Sequence, residues 1–145
     1  MDRIIHTLVL AGLFATLLVG CGGNSGGSAP SAATTPEEVH SAWVDAMKAN
    51  NRDALLSLAA DMQYKTSFVD DNLRPLQDRL RAAKDGKLQS VDVRAPTDDG
   101  AGKIGVSVWK FEKHTACYRT VLSAVNGVWK VSSWGVMYQC PADVK

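Results

Sequence analysis

The sequence predicts an α+β domain, three N-terminal helices packed on a four-stranded antiparallel sheet. Three observations carry this reading. Up to Gly86 the apolar residues recur at helical spacing. Beyond Gly86 they alternate with polar residues, as a half-buried strand requires. Asn126-Gly127 then separates two alternating runs as a two-residue hairpin turn, because both positions favour positive φ.

The first helix is expected over residues 36–50. Thr35 can cap it, Pro36 suits the first helical position, and Glu38 completes a capping box. Val39, Trp43, Ala46 and Met47 share one face, and Asn50-Asn51 ends the helix. The second is expected over 52–62, with Leu55, Leu58, Ala59 and Met62 inward. A looser stretch from Gln63 to Val69 leads to Asp70-Asp71-Asn72, which reads as the cap of a third helix over 72–85. Pro75 fits only in the first turn of that helix, where its missing N–H does no harm. Leu73, Leu76, Leu80 and Ala83 make its stripe, and Gly86 closes it.

Val91 and Val93 mark the first strand, and residues 96–100 form a loop. Ile104, Val106 and Val108 alternate with Gly105, Ser107 and Trp109 in the second strand. The third runs from about Ala116 to Val125 and the fourth from Val128 to about Tyr138. A tight turn at Asn126-Gly127 sets Leu122 opposite Val131 and Ala124 opposite Trp129. The expected core includes Trp43, Leu55, Leu76, Val106, Leu122 and Val131.

Ahead of the domain lie two further segments. Arg3 precedes an apolar run from Leu8 to Val19, the length of a secretion-signal core and short for a membrane span. Leu18-Val19-Gly20-Cys21 resembles the lipobox of bacterial lipoproteins at all four positions. That resemblance implies a signal peptide over 1–20, a Cys21 thiol that takes a lipid, and a mature chain beginning at Cys21. Residues 22–34 hold no charge and no large apolar side chain, so they read as a flexible linker between the anchor and a domain spanning 35–145. The expected location is the cell envelope, facing the periplasm or exterior, on the outer membrane if the host has one. The membrane is thus an expected partner, through the N-terminal lipid.

The three cysteines fit the same account. With Cys21 acylated, Cys117 and Cys140 remain as a pair in a compartment that permits disulfides, two buried free thiols being the alternative. Continuing the hairpin register places Cys117 opposite Val136, short of Cys140. A bridge therefore needs a curled-back tail or a bulge that shifts the register.

Helices followed by an antiparallel sheet, the final hairpin Val125-Asn126-Gly127-Val128-Trp129-Lys130-Val131, the Pro36-Glu37-Glu38-Val39 opening and the Asn51-Arg52-Asp53-Ala54-Leu55 helix start resemble the nuclear transport factor 2-like (cystatin-like) superfamily. Within it, they are most similar to small secreted bacterial lipoproteins of unknown function. The resemblance implies a curved sheet that closes with the helices into a cone able to hold a small ligand. Its members include isomerases, dehydratases and non-catalytic binding modules, so fold alone does not choose among them.

Chemistry is sparse in the sequence. Lys and Arg number 16 against 15 Asp and Glu, a net charge of +1, which gives no electrostatic footprint for nucleic acid. There is no phosphate loop, zinc spacing or nucleophile elbow, so no cofactor or metal is expected. His40 and His114 read as surface or capping residues. Tyr64, Phe68, Trp109 and Trp129, with Met137, are the candidates to line an apolar pocket for a small ligand, against the plainer reading that they pack the core. The leading expectation is a membrane-anchored, non-catalytic module that binds a small apolar ligand or an envelope protein. The alternative is an isomerase or dehydratase using Asp61 or Asp70 with Tyr64, which requires a carboxylate (Asp45 included) pointing into a closed cavity.

Overall fold

The computed structural model describes residues 35–82 and 84–144. The expected signal segment, Cys21, the expected linker and Ala83 lie outside the described residues. Three helices, α1 (Pro36–Lys48), α2 (Arg52–Leu58) and α3 (Lys65–Arg81), precede five strands, β1 (Leu88–Val93), β2 (Thr97–Asp99), β3 (Gly102–Phe111), β4 (Thr115–Val125) and β5 (Val128–Val136).

The start of α1 follows its local code. Glu38 N–H donates to Thr35 Oγ1 at 3.2 Å and Thr35 N–H to Glu38 Oε2 at 3.0 Å, the reciprocal capping box. Asn50 then takes a positive φ of 55°, and Asn51 Oδ1 caps α2 by accepting from Ala54 N–H at 3.1 Å. Helix α2 is shorter than its apolar pattern suggests. After Leu58 the chain turns extended, Ala59 bridges Val131, and Ala60 N–H donates to the Val131 carbonyl at 2.8 Å. A bond to the sheet edge thus replaces another helical turn, and Met62 is only half-buried.

Helix α3 corrects the sequence expectation more deeply. It begins at Lys65, runs through Asp70-Asp71-Asn72 as ordinary helix, and carries Pro75 in its interior. An interior proline costs roughly 3 kcal/mol. Val69, Leu73 and Leu76 are buried, each contributing roughly 1.5–3 kcal/mol, so their packing outweighs the proline. The helix ends at Arg81, and Gly86 makes a separate positive-φ turn beyond it rather than closing it.

The antiparallel sheet runs β1-β3-β4-β5, with β2 pairing β3 as well. The expected loop at 96–100 is therefore partly strand. Thr97, Asp98 and Asp99 pair with Ile104, Lys103 and Gly102 across a tight turn at Gly100, so the sheet has five strands and not four. Leu122 faces Val131 and Ala124 faces Trp129 as the hairpin turn requires. A bulge after Val131 then shifts the register, so that Thr120 faces Trp134 and Tyr118 faces Val136.

One strand sits with its faces exchanged relative to expectation. The helices cover Trp109 and Phe111, which belong to the core, and with them Gly105 and Ser107. Val106 is only half-buried, on the opposite face. Val108 on that face is buried beside Cys117, its cross-strand partner. The C-terminal tail supplies this second cover. Cys117 and Cys140 form a disulfide with Cα atoms 5.3 Å apart, and Asp143 pairs with Arg94 at 2.8 Å beyond the end of β1. Both the bulge and the curled tail are present.

Candidate functional site

Between α3 and the β4–β5 half of the sheet lies a cleft of about 210 Å³, lined by Asn72, Pro75, Leu76, Arg79, Tyr118, Trp134 and Val136. Its floor is aromatic. Tyr118 and Trp134 stack with centroids 4.4 Å apart and planes 7° from parallel, and Trp109 meets Tyr118 edge-on at 5.7 Å. Gly135 leaves the β5 backbone bare at the rim, where Val136 is 64% exposed.

Arg79 closes one side and is itself held. Its Nε donates to Asp85 Oδ2 at 2.7 Å, an Nη to Tyr118 Oη at 3.4 Å, and the guanidinium lies over the Phe111 ring at 5.5 Å. Partial burial alone would lower its pKa, but the bonds to Tyr118 and Asp85 outweigh that and raise it. The same bond from Arg79 holds the Asp85 carboxyl below the usual range. Arg79 is thus a fixed wall, its charge already matched.

A larger recess of about 560 Å³ follows the outer side of α3, between Asn50 and Arg81. Its rim mixes Asp70, Asp71 and Asp78 with Arg74 and Arg81, and Arg74 lies 3.5 Å from Asp71. It is a solvated, predominantly charged and polar surface in which Leu73 is the apolar lining residue. The smaller cleft is the better site, because it combines enclosure with aromatic walls.

The residues singled out in the sequence are dispersed. Trp109 is fully buried, its Nε1–H donating to Ser107 Oγ at 3.0 Å. Phe68 stacks on Trp43 at 5.8 Å, Trp129 is half-buried near the hairpin turn, and Tyr64 is 68% exposed. None of the four lines the cleft. Met137 borders a separate recess of about 370 Å³ on the other side of Val136. The carboxylates face outward: Asp61 and Asp45 are exposed, and Asp70 is held by Arg52 at 2.7 and 3.0 Å, which lowers its pKa. The Asp61, Asp70 and Tyr64 arrangement required for an acid–base site is not assembled. Among the described residues no cluster of His, Cys, Asp and Glu could hold a metal ion.

His40 departs most from expectation. It is fully buried on α1, its Nδ1 3.2 Å from the Arg94 carbonyl oxygen, and burial lowers its pKa despite that bond. Gly105 makes the space, since a Cβ there would meet the imidazole at Cε1 within 2.5 Å. Two signals pointed to this. His40 lies four residues from both Pro36 and Val44 on the buried stripe, and a glycine stands between Ile104 and Val106 in the strand.

No protein-family model and no curated protein sequence matches the chain. Among solved structures it is similar to a SEC-C motif containing protein from Rhodopseudomonas palustris, at 14% identity and a TM-score of 0.53, over 74% of this chain and 82% of that one. It is also similar to a Thiobacillus denitrificans protein provisionally described as a calcium/calmodulin-dependent protein kinase type II association domain. There the identity is 12% and the TM-score 0.48, over 70% of this chain and 93% of that one. At 14% identity the first likeness is one of fold.

Proposed function

We propose that the protein is a cell-envelope lipoprotein, tethered through Cys21, whose domain is a non-catalytic module binding a small molecule with an apolar body. The observation that carries the binding half is the cleft beside Tyr118 and Trp134, enclosed by Leu76, Pro75 and Val136. The stacked aromatic floor offers an apolar contact, and the neutralised Arg79 adds no free charge to select an anion. The position of the cleft, between sheet and helices, is consistent with the open end of a nuclear transport factor 2-like cone. The outward-facing carboxylates favour binding over acid–base chemistry.

The anchor rests on Leu18-Val19-Gly20-Cys21 and the uncharged linker after it. No helix among the described residues is long and apolar enough to cross a membrane. Stable attachment would then come from the lipid, which needs two or more acyl chains, because one binds only marginally. Changing Cys21 to Ser is expected to release the protein into the soluble fraction. Mass spectrometry of the wild type should find Cys21 acylated, and an unmodified Cys21 on a soluble protein would end this half of the reading.

The cleft is tested with Nile red, an apolar fluorophore, on the Cys21→Ser protein so that no micelle competes for the dye. Val136→Arg puts a charge at the exposed rim without touching the core. It should weaken the dye by about tenfold, the equivalent of roughly 1.4 kcal/mol of lost contact. Equal affinity in both proteins would remove the cleft as the binding site.

A further inference from the structure

Four buried side-chain polar atoms among the described residues have no hydrogen-bond partner: His40 Nε2, Trp43 Nε1, Thr120 Oγ1 and Trp134 Nε1. They are not scattered. Gly105, Thr120 and Trp134 are successive cross-strand partners, one row over β3, β4 and β5 on the side facing the helices. His40 covers the Gly105 end of that row, and Trp43 lies one turn along α1. A buried polar group without a partner forfeits its hydration for nothing, so a concentration of them calls for a physical explanation.

The orientation of the imidazole supplies one. A Cβ at Gly105 would meet Cε1 at 2.5 Å and Cγ at 2.7 Å, nearly equal distances that set the ring face-on above the strand. Nδ1 reaches the carbonyl of Arg94, whose own N–H bonds to Val106 on the β1 side of β3. Nε2 has no partner, and Thr120, whose Oγ1 has none either, is the β4 partner of the Gly105 over which the ring lies. A carbonyl oxygen only accepts, so Nδ1 carries the proton and Nε2 presents a bare lone pair.

We propose that His40 and Thr120 form a buried site for a single hydroxyl oxygen, of a water or of a small alcohol. The guest donates to His40 Nε2 and shares a hydrogen bond with Thr120 Oγ1, whose hydroxyl can turn to give or to accept. A neutral guest fits, because an imidazole lone pair and a hydroxyl do not compensate a buried charge. The site lies within the helix–sheet layer, next to the Trp134 that floors the cleft, and does not depend on the anchor.

Thr120→Val in the full-length protein keeps the side-chain shape and deletes the hydroxyl. With the guest bridged, the melting temperature falls by about 4–8 °C, and the same change in a His40→Phe background costs much less. An unchanged or raised melting temperature overturns the proposal, since it marks Thr120 Oγ1 as an uncompensated group better removed. The wild type gives a test free of folding effects. A long-lived hydroxyl proton should show cross-relaxation to the Thr120 methyl by nuclear magnetic resonance, and its absence overturns the site. Mass analysis of what unfolding releases separates the sources, one small alcohol per chain or no organic molecule for water.

Discussion

His40 shows how one residue ties sequence, packing and pH together. Its ring fits because residue 105 is glycine, and burial disfavours its charged form. The folded pKa therefore lies below 6.5, the value of the unfolded chain. Between the two values the unfolded state holds more protons, so stability rises with pH across that window. This contribution is complete above about pH 6.5 and is lost as the pH falls below it. Thermal unfolding at about pH 7.5 and about pH 5 should show a larger loss for the wild type than for His40→Phe. An equal loss in both proteins would assign the acid sensitivity to other groups.

At the scale of elements, α3 is the informative one. Its sequence carries a cap-like Asp70-Asp71-Asn72 and an interior Pro75, both of which argue for a helix starting later than Lys65. The helix forms through them because Val69, Leu73 and Leu76 bury against the core, while Phe68 stacks on Trp43. Asp70, free of any capping duty, pairs with Arg52 and ties α3 to α2. Pro75 is exposed, so replacing it costs no core packing. Pro75→Ala restores one N–H to the helix and should stabilise the protein by roughly 1–3 kcal/mol, read from denaturant unfolding. A loss of stability instead would mean that Pro75 contributes through its contact with the cleft.

For the whole molecule the C-terminal tail decides how the sheet is covered. The helices shield one face, and the tail crosses the other from Cys117 on β4 to Arg94 beyond β1. The disulfide closes a loop with a sequence separation of 23 residues. In the chain-entropy model such a loop stabilises the fold by about 3 kcal/mol. Reduction, or a Cys117→Ala and Cys140→Ala double variant, should lower the melting temperature and leave the amides around Val108 faster to exchange with solvent. Unchanged exchange at Val108 would show that the tail covers that face without its covalent pin.

Local codes in the sequence determined much of this protein. The Thr35–Glu38 capping box, the Asn51 cap, the Asn126-Gly127 hairpin with Leu122 opposite Val131, and the α+β order are all legible because each depends on residues close in the chain. The cysteine count also pointed to the Cys117–Cys140 bridge. The cleft was not legible, and the reason is specific. In the uninterrupted hairpin register Trp134 would point away from the helices; the bulge after Val131 turns it inward, onto Tyr118. A bulge of one residue reverses every side chain beyond it, and it sits directly after Val131, whose carbonyl accepts a bond from Ala60, a contact distant in sequence. The same limit hid the faces of β3. Alternation reports a period, but two-sided cover by helices and tail decides which phase is inside, and only the assembled fold supplies both covers.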